Sequence, residues 1–208
     1  MRMPPLTNKT RYFYFGIVYL YVSLLYLVTN HIHYFQPRLL PLTPFDTWVP
    51  YLPWTGWIYV MVYAMPLLGA VLVSGEEETK RMIISFIAMT TCCAAVFIFF
   101  PTIYPRPTIP VAHSLANFAL LFVQSVDTPA NSMPSQHVAI AFLSAFFIQV
   151  HRKLWGDIAI LFGILIAIST LTTKQHYVWD VVIGYSMARF NYLIVMGPWF
   201  RTRSKVAQ

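Results

Sequence analysis

Long apolar stretches recur along this chain, and they leave few architectures open. Tyr12–Val28, Gly56–Val73, Met82–Phe100, Leu154–Leu171 and Tyr177–Met196 each approach the length of a bilayer crossing, and Val138–Val150 joins them if its helix starts near Pro134. A spanning helix needs roughly 20 mostly apolar residues, with ~17 tolerable. Only 10% of the residues are charged and 58% are hydrophobic, whereas a soluble domain carries about a quarter charged residues. So few charges cannot coat a globule of this size, which excludes a soluble enzyme and a disordered chain. The expectation is one membrane domain over residues 1–208, an all-α integral membrane bundle of six transmembrane helices.

The net charge of +7 invites a nucleic-acid partner. The positions of the charges argue otherwise. Arg2, Lys9, Arg11, Lys80, Arg81, Arg152, Lys153, Arg201, Arg203 and Lys205 all fall on one side of a six-span topology. Arg38, Arg106 and Lys174 fall on the other, and Arg189 lies inside the last span. The positive-inside rule then puts both termini in the cytoplasm. Topology accounts for the basic excess, no base-stacking motif accompanies it, and no nucleic acid is expected.

The first apolar stretch is too long and too rich in Tyr for a signal peptide, and no small-residue cleavage pattern follows, so it reads as a retained helix. Cys92 and Cys93 are adjacent in the third span, where neighbours diverge and act as small packing residues. Gly184 and Ser186 read as positions of close helix packing. Glu76–Glu78 read as a solvated cytoplasmic loop. Proline clusters at 37–53, 101–110 and 129–134, in the two outer loops. Within the second loop, His113–Val126 reads either as a short helix in the outer interface or as one packed on the bundle.

The charge-poor face carries the chemistry. Arg106 follows the third span in Tyr-Pro-Arg-Pro. His137 closes Asn-Ser-Met-Pro-Ser-Gln-His before the fourth. Lys174, His176 and Asp180 share Thr-Lys-Gln-His-Tyr-Val-Trp-Asp at the sixth. Ionisable groups at membrane depth are costly and are functional candidates by default. His176 and Asp180 are four apart, which places them on one helical face. A carboxylate behind an imidazole fixes its tautomer and supports positive charge, which prepares a neutral histidine as a nucleophile. Ser135 heads a helix whose free N–H groups suit a phosphate. His137, in the first turn, is placed to protonate a leaving oxygen. Arg106 and Lys174 supply charge for phosphate oxygens. Taken singly, each residue has an ordinary interfacial or helix-end explanation; their gathering on one face argues for a site. His31, His33 and His113 have no comparable partners, and no metal site is expected.

Arg-Pro, then Pro-Ser-x-His, then His-x-x-x-Asp, in that order, resembles the type 2 phosphatidic acid phosphatase (PAP2) superfamily, which includes the vanadium haloperoxidases. Residues 127–137 and 169–177, with Phe45–Pro50 in the first outer loop, are similar to its inositol phosphorylceramide synthase-like branch. The resemblance implies a PAP2/haloperoxidase-like helical core and a cofactor-free, metal-independent phosphohistidine mechanism. It implies that His176 attacks phosphorus, Asp180 supports it, His137 protonates the leaving alkoxide, and Arg106 and Ser135 hold phosphate oxygens. Two family cations are replaced, by Phe99 and by Thr170 of Ser169-Thr170, and Lys174 stands in for one of them. Gln136 occupies a position where Gly is common.

The expected activity is hydrolysis of a phosphomonoester or diphosphate lipid on the extracytoplasmic face. The oligomeric state is not legible. The alternative is a headgroup transferase using an alcohol acceptor. A channel or transporter on the same scaffold is a second alternative, for which Arg189 is the one deep charge. A serine hydrolase built on Ser135 lacks the Gly-x-Ser-x-Gly turn.

Overall fold

A computed structural model describes residues 7–108 and 115–206. The chain is mostly helical there. Arg2 and His113 lie outside the described residues.

Helix α1 (Asn8–His31) starts at Thr7, whose hydroxyl accepts from the Thr10 N–H. Its 24 residues reach about 36 Å at 1.5 Å per residue. Much of its surface is apolar and exposed, with Phe13 66% and Leu20 58% open, as a lipid-facing helix requires. A two-residue strand β1 (Arg38–Leu39) and a short helix α2 (Pro44–Trp48) follow.

The second apolar stretch is not one continuous α-helix. Pro53–Leu72 is assembled from a 3-10 turn at Pro53–Thr55, α3 (Gly56–Val60), another 3-10 turn at Met61–Ala64, and α4 (Met65–Leu72). Pro53 and Pro66 each open a segment. Proline has no N–H for the preceding turn, so the ladder restarts at each.

Helix α5 (Glu76–Phe99) begins earlier than the sequence suggests. Glu76, Glu77 and Glu78 are its first turn rather than a loop, because carboxylates are favourable at the positive end of the helix dipole. Lys80 reaches back to Glu76 at 2.7 Å. Strand β2 (Thr102–Ile103) pairs in parallel with β1, Arg38 opposite Thr102. Helix α6 (Leu115–Val126) packs on the bundle. The Trp57 indole donates to the Leu115 carbonyl at 2.8 Å and stacks on Phe118. A Cβ on Gly56 would lie 3.2 Å from Leu120 N, so glycine permits this close approach.

Helix α7 (Gln136–His151) is the centre of the molecule, buried at most positions from Gln136 to Ile148. Its 16 residues span about 24 Å, less than a hydrocarbon core of about 30 Å. Helix α8 (Lys153–Thr172) folds back along it. A Cβ on Gly156 would lie 2.1 Å from the Gln149 Cα, so only glycine fits that crossing. Helix α9 (Val178–Val206) packs against α7 and α5. Met82, Met89, Leu143, Ile166 and Met196 fill the space between.

Among the described residues, four helical stretches are long and apolar enough to cross a membrane: Lys9–His31, Pro53–Leu72, Glu76–Phe99 and Lys153–Thr172. Helix α7 is short, and α9 carries Asp180 and Arg189. Arg189 lies over the rings of Phe146 and Tyr192, at 5.4 and 5.9 Å. Its side chain is exposed beside these rings of α7 and α9.

The two ends of the bundle differ. At one, Arg11 donates to the Val73 carbonyl, Ser74 bonds His151, and Arg81 donates to the Val195 carbonyl. The other gathers the loops between β1 and α3, β2 and α7, and α8 and α9.

Candidate active site

The chain reverses between α8 and α9 through Thr173–Tyr177. Lys174 takes a left-handed conformation there, with φ of 54°. Helix α9 begins at Val178, so His176 precedes the helix instead of sharing its face. The turn still delivers it to Asp180. Oδ2 of Asp180 accepts from the Ser132 hydroxyl at 2.5 Å, the Tyr177 N–H at 2.8 Å and, at 3.3 Å, His176 Nδ1.

His176 Nδ1 also lies 2.8 Å from the Ser132 carbonyl oxygen. A carbonyl only accepts, so Nδ1 carries a proton, and in the neutral ring Nε2 keeps the lone pair. Nε2 faces His137 Nδ1 at 3.4 Å. Both rings are buried, His176 4% and His137 6% exposed.

Helix packing brings His137 here. Ser135 caps α7, and its backbone N–H donates to the Asp180 carbonyl at 3.0 Å. A Cβ on Gly184 would lie 2.4 Å from the Ser135 carbonyl oxygen, so α9 can press on the head of α7 only with glycine there. The Ser135 hydroxyl takes the Val138 N–H at 3.4 Å, which leaves the N–H groups of Gln136 and His137 without intrahelical partners. Three tyrosines surround His137. Tyr59 packs at 4.7 Å between ring centroids, and its hydroxyl lies 2.9 Å from Nε2. Tyr26 and Tyr63 meet the ring edge-on.

Arg106 and Lys174 are engaged with protein groups. Arg106 donates through Nη1 to the Asp127 carbonyl at 2.5 Å and through Nη2 to its carboxylate at 2.6 Å. Its Nε is buried with no partner among the described residues. Lys174 donates from Nζ to the carbonyls of Asp46 and Val49, at 2.7 and 2.6 Å. Burial lowers its pKa, and the Asp46 carboxylate opposes that shift. Asp46 itself accepts from the Thr43 N–H and hydroxyl, and its Oδ1 takes the Val178 N–H at 2.7 Å. The first loop thus caps α9 and closes over the reversal. Tyr177 ties the two-strand ladder to it, donating to the Ile103 carbonyl at 3.1 Å and accepting from the Leu40 N–H at 3.2 Å. Asn30, at the end of α1, exchanges hydrogen bonds with Thr128 and Ala130.

A cavity of about 330 Å³ opens beside His137, lined by Asp127, Gln136, Tyr26 and Tyr63 at its polar end. It descends among Phe15, Val18, Val22, Val62, Phe86 and Ile140. From Tyr26 to Phe15 on α1 is about 17 Å along the helix axis. The volume is that of a small-molecule site, and its walls are almost wholly apolar.

His137, His176 and Asp180 therefore meet, with Ser135 against Asp180. Arg106 is held beside them by Asp127, and Lys174 turns to the neighbouring loop. Asp46, Asp127, Ser132 and Tyr59 were not given site roles from the sequence. The acids had a signal: Asp46, Asp127 and Asp180 stand apart from the Glu76–Glu78 run and Asp157, and all three are buried, 4%, 5% and 0% exposed. Tyr59 had none, because packing between distant segments creates its contact.

Among the described residues, no cluster of three His, Cys, Asp or Glu is arranged to hold a metal ion. A protein-family comparison matches residues 39–194 to the PAP2 superfamily, well over half of the chain. Comparison with curated proteins gave no match.

Proposed function

Because the chain belongs to the PAP2 superfamily, which generally comprises phosphatases and phosphotransferases, we propose that it is an integral membrane lipid-phosphate phosphatase working through a phosphohistidine. The observation that carries the reading is the state of His176. Its Nδ1 proton is held by the Ser132 carbonyl and Asp180, and its Nε2 lone pair faces His137. In the proposed first step Nε2 bonds to phosphorus, and the ester oxygen departs with a proton from protonated His137. Asp180 offsets the positive charge that develops on the His176 ring. In the second step water attacks the phosphohistidine, gives its proton to His137, and free phosphate leaves.

A phosphorus atom lies about 3–3.5 Å from its attacking atom in a reactive pose. The 3.4 Å gap between the two rings must therefore widen when substrate enters. Arg106 offers its unpartnered Nε–H to a phosphate oxygen, and the head of α7 at Ser135 offers N–H groups. Lys174 adds charge while two of its N–H groups hold the first loop.

The apolar cavity supports a lipid substrate, with its tail among the helices and its phosphate at the histidines. Six crossings, with α7 and α9 completing the four apolar stretches, would put the site on the extracytoplasmic face and both termini in the cytoplasm by the positive-inside rule. Residues 1–208 act as a single domain in this reading. The burial of both histidines favours a second reading, transfer to a lipid alcohol, because a buried phosphohistidine is sheltered from water.

Phosphate release from a lipid phosphate in detergent, measured with and without an added alcohol, tests both. Release without acceptor that vanishes in His176→Ala supports the phosphatase. Product formation only with acceptor supports the transferase. Undiminished turnover in His176→Ala would refute both.

A further inference from the structure

The side chain of Gln136 is anomalous. It is 3% exposed, its Oε1 is buried with no partner, and its carboxamide makes no hydrogen bond among the described residues. A buried polar group without a partner is costly and calls for a cause. Two other observations supply one. Gln136 lies between Ser135 and His137 in the chain, so it is fixed at the phosphate end of the site. It also lines the cavity that runs down toward Phe15. A lipid phosphate with its phosphorus at His176 and its tail in that cavity must pass the first atoms beyond the ester oxygen alongside this amide.

We infer that Gln136 is a specificity-determining residue that hydrogen-bonds a polar linker, a hydroxyl, ester or amide within a few atoms of the phosphate, and so selects lipid phosphates carrying one over those with a bare hydrocarbon linker. The inference rests on the lipid-phosphate reading above. A carboxamide offers one acceptor oxygen and two N–H donors, so it pairs with any of these groups. An all-hydrocarbon linker leaves it unpaired. A site built to hydrogen-bond a substrate discriminates far better than one built only to fit its shape. Two neighbouring tyrosines are already engaged: Tyr26 donates to Asp127, and Tyr59 bonds His137.

The test uses full-length protein in detergent and three single-chain phosphates matched in chain length. One is a plain alkyl phosphate, one a monoacylglycerol phosphate with an ester and a hydroxyl, and one an N-acylethanolamine phosphate with an amide. Wild type should favour at least one polar-linker probe over the alkyl phosphate by about tenfold in kcat/KM. In Gln136→Met, similar in length but without the amide, the ratio should fall below about threefold; Gln136→Asn, which keeps a shortened amide, should lie between. Collapse confined to the ester-hydroxyl probe assigns a glycerol-type linker, and collapse confined to the amide probe assigns an amide-type linker. Equal rates on all three in wild type, or an unchanged ratio in both variants, overturn the inference and leave the phosphatase reading standing. A folded wild type inert on every probe overturns both.

Discussion

Replacing Asp180 by Asn separates two jobs that the proposed mechanism gives the carboxylate at His176. One is to hold the Nδ1 proton, and the other is to offset charge when Nε2 becomes phosphorylated. The geometry divides them. The Ser132 carbonyl lies 2.8 Å from Nδ1, nearer than Asp180 Oδ2 at 3.3 Å. The tautomer therefore survives in Asp180→Asn, and only the charge is lost. A hydrogen bond to a charged group contributes about 1.5–3 kcal/mol, and each 1.36 kcal/mol is about tenfold in rate. The expected fall in kcat is thus about 10- to 150-fold, with KM little changed. Asn can keep the bonds from the Ser132 hydroxyl and the Tyr177 N–H, so the melting temperature in detergent should move little. Initial-rate assays of phosphate release beside His176→Ala decide the matter. A rate as low as that of His176→Ala would mean that Asp180 alone sets the tautomer, and a wild-type rate would mean that it supports no charge. Either result refutes the division of labour.

Other perturbations follow from the same contacts. Gly184→Ala places a Cβ 2.4 Å from the Ser135 carbonyl oxygen, a backbone atom that cannot swing away; thermal unfolding should show a loss of about 1–3 kcal/mol, and an unchanged melting temperature would contradict the packing. Asn30→Ala strips partners from the Thr128 N–H and the Ala130 carbonyl and should cost about 1–3 kcal/mol, read by the same melt. Arg106→Lys cannot span the Asp127 carbonyl and carboxylate as a fork does, so kcat/KM should fall about 10- to 100-fold; retention of full activity would remove Arg106 from phosphate binding. Lys174→Met releases the carbonyls of Asp46 and Val49, and limited proteolysis should then cut the loop before α3 faster than in wild type.

The helical, membrane-type architecture was legible because apolar runs and charge spacing are local properties of the chain. The meeting of His137, His176 and Asp180 was legible because three short motifs fell on one charge-poor face. The details that depend on tertiary contact were not. Arg106 and Lys174 read as cations for phosphate oxygens; that Asp127 and the Asp46 loop also engage them was not legible, since no spacing rule joins residues this far apart. His176 read as part of a helix, but the left-handed turn at Lys174 stops α9 from reaching it. Glu76–Glu78 read as loop because their charge outweighed their value at a helix start. The second span read as continuous although Pro53 and Pro66 already marked its breaks.

The central claim is that His176 Nε2 becomes bonded to phosphorus. Acid destroys phosphohistidine and alkali spares it, so the measurement is an alkaline quench of wild-type protein turning over a lipid phosphate, followed by peptide mass spectrometry. The account predicts an added phosphoryl group on the peptide carrying His176, lost on acid treatment and absent from His176→Ala. Turnover with no phosphoryl group on that peptide at any quench time, or with the group on another residue, would contradict it.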